Sequence, residues 1–214
     1  MLKIFFKSWI TALFFLFFVK DSLAVKIVTI FDESDVLSKK AEEIFFTEGL
    51  EQPRTIADQL IEALRPFMPA AGLAAPQIDI SKQIFIFSWN RTEEALEVVI
   101  NPKILVESSE TSISWEACFS TVQDEGESRA AFVSRPNTID VEYFTLEGQV
   151  VRKRLAGFAA RVFLHEFDHL NGVENVNKKN AQVKSFSNKA KLFEFIQEVK
   201  SRDSAIYQEP THIR

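Results

Sequence analysis

The segment His165-Glu166-Phe167-Asp168-His169 limits the possible fold more than any other stretch of this 214-residue chain. It lies within Ala156 to Leu170, a run rich in Ala, Phe, Val and Leu that reads as a mostly buried helix closed by Asn171-Gly172. On a helix, side chains four positions apart stand one above the other, so both imidazoles can reach one point. Two histidines and a glutamate are costly to bury unless something satisfies them, and a divalent metal ion does so. Catalytic sites of this kind commonly hold the ion with three protein ligands and leave a fourth position for water. Glu166, beside the first histidine, can then take that water's proton and pass it on. The rest of the fold must therefore surround this helix and deliver a third ligand to it. No further histidine follows at metzincin spacing, and His212 lies at the end of the chain. Cys118 is the only thiol, so no intrachain disulfide can form. Alone it would read as a small core hydrophobe; beside two histidines it reads as the third ligand, with His165 and His169.

The remaining pattern supplies the surroundings. Val25 to Ile30 alternates as a half-buried strand does. Thr55 to Met68 reads as a helix with Ile56, Leu60, Ile61 and Leu64 on one face and Thr55 as its N-cap. A loop, Pro69-Ala70-Ala71-Gly72, follows. Strands are expected at Gln83 to Phe87 and Leu96 to Ile100. A hairpin is expected from Thr138 to Phe144 and Gln149 to Leu155, turning at Glu147-Gly148. Asn188 to Ser201 is a last amphipathic helix with Leu192, Phe195, Ile196 and Val199 inward. The fold class is α+β: short antiparallel sheets around a buried metal-binding helix, with a C-terminal helix.

Residues 1–24 stand apart from this domain, which occupies 25–214. Lys3 and Lys7 precede an apolar run, Ser8 to Val19, and Ser22-Leu23-Ala24 follows as a small-residue site. That is the plan of a signal peptide, with an uncleaved N-terminal membrane tether as its rival. A helix of this run spans ~18 Å against a hydrocarbon core of ~30 Å. The expected location is exported or periplasmic, with cytoplasmic or membrane-tethered as the alternative. A net charge of −5 argues against a nucleic-acid partner. The short basic clusters Lys39-Lys40, Arg152-Lys153-Arg154 and Lys178-Lys179 read as solvated surface, and the chain is expected to act as a monomer.

Three segments, in order, resemble the peptide deformylase family. Gly72-Leu73-Ala74-Ala75-Pro76-Gln77 is similar to that family's G-x-G-L-A-A-x-Q loop. Glu116-Ala117-Cys118-Phe119-Ser120 is similar to its E-G-C-L-S strand, and His165 to Gly172 to its H-E-x-D-H-L-x-G helix. Asn101-Pro102-Lys103-Ile104 and Arg135 extend the likeness over nearly all of residues 25 to 175. The resemblance implies one divalent ion, Fe(II) or Zn(II), on Cys118, His165 and His169. It implies hydrolysis of the N-formyl group from a peptide's N-terminal methionine, with Glu166 as proton shuttle. It further implies the Gln77 amide and the Phe119 backbone N–H as oxyanion donors, and Gly72 and Leu73 as the strand that pairs with the peptide. Glu116 and Arg135 match a structural ion pair, and Asp168 matches a supporting residue whose partner the sequence does not name.

Three departures bear on activity. Ala70 and Ala117 stand where the family has glycine, and Phe119 replaces leucine. Alanine at a position needing positive φ would cost roughly a kcal/mol. Altered substrate shape or lower activity on formyl-methionine is therefore expected. The alternative reading is a non-catalytic or altered-specificity relative that binds or deacylates other N-acylated peptides.

Overall fold

The computed structural model describes residues 25–202. The signal-like segment 1–24 and His212 lie outside the described residues. Among those described, no helix is long and apolar enough to cross a membrane.

Among the described residues, two antiparallel sheets and three α-helices make up the domain. The larger sheet has the order β1 (Gly72–Ala74), β2 (Ile84–Ser88), β3 (Leu96–Glu107), β6 (Thr138–Phe144), β7 (Val150–Ala156), and the smaller the order β4 (Thr111–Ala117), β5 (Ser128–Pro136), β8 (Gln182–Phe186). β2, Ile84–Ser88, is buried at every position, because helices cover both of its faces. Ile84 and Ile86 join a cluster with Ile56, Leu60 and Leu64 of α1, Glu51–Leu64. Phe85 and Phe87 point the other way and meet Phe163 of α2, Gly157–Leu170, edge to face at 5.0 and 5.6 Å. Alternate residues of one strand thus feed two cores.

α1 begins four residues before its expected start. Thr55 is not its cap; its hydroxyl donates to the Glu51 carbonyl one turn back. Pro53 sits within the first turn, where its missing N–H breaks no helical bond. The Val25 to Ile30 segment forms no strand. Its amides at Val28 and Ile30 instead donate to the carbonyls of Gln77 and Ser120, both 2.8 Å. β1, Gly72–Ala74, is short and edges the larger sheet, pairing only with β2.

β3 runs from Leu96 to Glu107, well past Ile100, where it was expected to end, and through Asn101-Pro102. The ladder shifts register there rather than ending. Asn101 adopts φ 48°, and its side chain accepts from the Ile44 amide and donates to the Ile44 carbonyl. The hairpin of β6, Thr138–Phe144, and β7, Val150–Ala156, is in the expected place. Its basic cluster is not simply solvated. Arg152 pairs with Glu142 and Arg154 with Asp140 across the strands, and Lys153 reaches Glu97 from the opposite face.

The second sheet carries the cysteine. β4, Thr111–Ala117, ends one residue before Cys118, and β5, Ser128–Pro136, lies between it and β8, Gln182–Phe186. α3, Lys189–Arg202, covers this sheet: Leu192 and Ile196 pack on Ala130, and Phe195 meets Trp115 edge to face.

Candidate active site

α2 lies between the two sheets and turns one stripe, Arg161, His165 and His169, toward β4. The helix ends where Gly172 adopts φ 71° and Val173 donates back to the Asp168 carbonyl. A Cβ on Gly172 would lie 2.8 Å from the Ser38 backbone, so the close approach itself requires glycine.

The ligand atoms of Cys118, His165 and His169 lie within 4.8 Å of one another, with Cys118 Sγ 3.3 Å from His169 Nε2. Each histidine has its other ring nitrogen held by a carboxylate: His165 Nδ1 is 3.0 Å from Glu116 and His169 Nδ1 is 2.8 Å from Glu174. That leaves both Nε2 atoms for an ion. Burial pushes the Cys118 thiol up, but the His169 and His165 rings together outweigh it and bring its pKa below the ordinary thiol value. Burial likewise opposes the imidazolium form of His169, but Glu174 and Cys118 outweigh it and hold its pKa well above the usual histidine range. A set of two soft or borderline nitrogens and one thiolate, all oriented, suits a divalent transition metal or zinc.

Glu166 is 4% exposed, and its Oε2 has no hydrogen-bond partner among the described residues. Burial raises its pKa, against the pull of the two histidines. An orphaned buried carboxylate oxygen beside this ligand set fits an occupant in the pocket. Gly72 lies against it: a Cβ there would sit 2.6 Å from Glu166 Oε1.

Gln77 is fully buried, and it both caps the loop and faces the site. Its Oε1 accepts from the Ala74 amide at 2.9 Å, while Nε2 donates to Ser120 Oγ at 3.1 Å and lies 3.4 Å from Cys118 Sγ. Phe119 opens a 3-10 turn closed by the Thr121 and Val122 amides, so its own N–H is not used by the turn. Its ring packs against that of Phe67, tilted, with centroids 4.9 Å apart. A pocket of about 460 Å³ joins these groups, lined by Gly72, Gln77, Cys118, Phe119, His165 and Glu166 among others. Leu73, expected beside the peptide, does not line it: its side chain alternates away from the pocket into the α1 core. Ala70 is not in the left-handed region, so the strain feared there does not arise, and it is buried in the same core. Ala117 is exposed at the pocket wall.

The ion pair of Glu116 and Arg135 is bidentate, at 2.6 and 2.8 Å, and belongs to a larger network. Arg161 also donates to Glu116 at 2.7 Å, and Arg135 to Asp168 at 2.8 Å. Asp168 thereby gains the partner the sequence could not name, and a second in Lys178, which is accordingly not a free surface lysine. Sequence reading missed Glu174, Arg161 and Ser120. Arg161 was legible as the residue four before His165 on the same stripe. Glu174 becomes a neighbour of His169 only because the chain reverses at Gly172.

Known proteins agree with this geometry. The family model described as polypeptide deformylase matches residues 24–185. Peptide deformylase of Thermotoga maritima is 40% identical over 139 residues, covering 64% of this chain and 77% of that one. Peptide deformylase 2 of Bacillus anthracis is 34% identical over 162 residues, covering 68% and 86%. The crystal structure of the Thermotoga maritima enzyme superposes with a TM-score of 0.61 at 32% identity, over 72% of this chain and 96% of that one. The Met-Ala-Ser-bound class I type b peptide deformylase of Acinetobacter baumannii gives 0.64 at 30% identity, over 74% and 99%. A buried Cys-His-His cluster, a glutamate aimed beside it and these matches lead to one conclusion: the chain belongs to the polypeptide deformylase family.

Proposed function

We propose that this chain hydrolyses the formyl amide at the N-terminal methionine of peptides, with Cys118, His165 and His169 as metal ligands and Glu166 as the proton-transfer group. Water adds across the C–N bond, giving formate and a free amine. A divalent cation on the three ligands supplies a Lewis acid that lowers the pKa of a water to near neutral. Glu166 accepts the proton released from the nucleophile and returns it to the departing nitrogen; its raised pKa suits it to hold that proton between the two events. Gln77 Nε2 and the Phe119 N–H donate to the oxygen of the attacked carbonyl, where such donors are each worth ~3–4 kcal/mol. β1 is an edge strand beside the pocket, so an extended peptide can add to it near Gly72.

The observation that carries this reading is the unpartnered Glu166 Oε2 next to the Cys118-His165-His169 cluster. A module that only binds acylated peptides has no need of a buried carboxylate there. The reading includes export with a mature chain beginning at Val25, supported by the basic start, apolar run and Ser22-Leu23-Ala24. Zinc then suits an oxidising location better than ferrous iron, having no redox chemistry. The test is amine release from formyl-Met-Ala-Ser by the full chain loaded anaerobically with Fe(II), Ni(II) or Zn(II). Turnover with at least one ion is expected. Absence of turnover by a protein holding one ion per chain would contradict it and favour the altered-specificity alternative. An intact Met1 on cytosolic protein would sink the export reading alone.

A further inference from the structure

The two imidazoles of the site are backed by carboxylates in opposite electrical surroundings. Behind His169, Glu174 lies 2.8 Å from Nδ1, is buried, and pairs with no lysine or arginine among the described residues. Behind His165, Glu116 lies 3.0 Å from Nδ1 but belongs to a connected network. Arg135 takes both of its oxygens, at 2.6 and 2.8 Å, and Arg161 adds a bond at 2.7 Å. Arg135 continues to Asp168, and Asp168 to Lys178. Three cations, Arg135, Arg161 and Lys178, are thus set against two carboxylates, Glu116 and Asp168. An excess of positive charge stands behind one histidine and an unshared negative charge behind the other.

Arg161 makes that difference, and its place does not depend on Glu116. Its Nη1 also donates to the Val133 carbonyl at 3.1 Å, and its Nη2 to the carbonyl and hydroxyl of Ser112 at 2.8 and 3.2 Å. These neutral acceptors on β5 and β4 hold the guanidinium against Glu116, while α2 sets it one turn before His165. Because Arg135 grips both Glu116 oxygens, the carboxylate keeps its aim at His165 with or without Arg161. Taking Arg161 away therefore changes the charge behind His165 more than its geometry.

A ring whose Nδ1–H faces a full carboxylate gains basicity and becomes a stronger ligand through Nε2. A cation on that carboxylate withdraws part of this effect, and it also repels a divalent ion directly. The two effects have the same sign. We infer that Arg161 is a positioning residue that acts through Glu116 on His165, weakening that ligand so that the site holds a more Lewis-acidic ion less tightly. The inference rests on the reading of Cys118, His165 and His169 as metal ligands.

The test is the affinity of the full chain for Zn(II), measured by competition with a chromophoric chelator in wild type, Arg161→Met and Arg161→Lys. Arg161→Met is expected to bind Zn(II) about tenfold more tightly, at the low end of the range over which the partners of ligating histidines shift affinity. Arg161→Lys keeps the charge and is expected to stay within about threefold of wild type. Damage to the fold would act in the opposite direction and loosen the ion in both variants. Should Arg161→Met not fold, Arg161→Gln, which drops the charge but keeps a donor for Ser112, carries the same expectation. Unchanged or weaker binding in the uncharged variant, or equal tightening in Arg161→Lys, overturns the inference and leaves the ligand set standing. No Zn(II) bound by wild type overturns the ligand reading, and the inference with it.

Discussion

Replacing Glu116 with Gln keeps the shape of the side chain and removes the one charge on which three cationic groups converge. In the folded protein, Glu116 takes two bonds from Arg135, one from Arg161 and one from His165, all at 2.6 to 3.0 Å. Removing one member of a buried pair typically costs ~3–5 kcal/mol, because the other charge is left in low dielectric. Here the loss belongs at the lower end. Arg135 keeps Asp168, and Arg161 keeps the carbonyls of Ser112 and Val133. The expected destabilisation is about 3 kcal/mol at pH 7, or a drop in Tm of roughly 6–12 °C for a domain this size. The pH dependence has a definite sign. Burial pushes Glu116 up, but Arg135 and His165 outweigh it and hold the carboxyl well below its ordinary 4.5. A group depressed in this way stabilises the fold above its unfolded pKa, and that contribution is lost as pH falls toward the folded one. The gap between wild type and Glu116→Gln should therefore close below pH 4.5 as the wild type loses its advantage. Denaturant unfolding of chelator-treated protein measures this without interference from bound metal. The surface variant Arg154→Gln, whose pair with Asp140 is half exposed, should cost less than ~1 kcal/mol. A Glu116→Gln protein within ~1 kcal/mol of wild type, or a gap that does not narrow in acid, would refute the reasoning.

Gly72→Ala would put a methyl 2.6 Å from Glu166 Oε1 and 2.9 Å from its Cδ and Cγ. The buried carboxylate must move, so activity should fall by ~10²-fold or more with stability reduced by only ~1–3 kcal/mol; unchanged kcat/KM would contradict this. Metal binding should also release protons. In the metal-free protein Cys118 and Glu116 push the His165 ring up to about 10, against burial, and His169 is raised as well. Calorimetry at pH 7 in buffers of different ionisation enthalpy should find about two protons released per ion, and none released would be a contrary result.

What the sequence made legible follows from periodicity. The α2 stripe, the hairpin and α3 each carry a strong repeat, so their type and nearly their limits could be read. β5 and β8 could not. β5 carries Ala130 and Ala131; Ala130 is small where Leu192 and Ile196 of α3 pack over it, and alanine carries little strand signal. β8 is almost wholly exposed and polar, so no alternation marks it. β3 runs on past its expected end at Ile100, because the sheet absorbs Asn101-Pro102 as a register shift. At the site, the Cys118-His165-His169 cluster was readable because residue type and spacing carry the chemistry. The carboxylates that orient the histidines were not, since Glu116 and Glu174 reach them only through tertiary packing. Leu73 keeps its place in the motif strand, but alternation turns its side chain into the core, so only its backbone lies along the edge strand β1.

The central claim is that Glu166 moves the proton at a site whose ion is held by other residues. The measurement that tests it most directly is the rate of amine release from formyl-Met-Ala-Ser by Glu166→Ala and wild type at matched metal content. The account predicts one ion per chain in both proteins and a rate at least ~10²-fold lower in the variant. A variant that keeps its ion and works within a few-fold of wild type would contradict it.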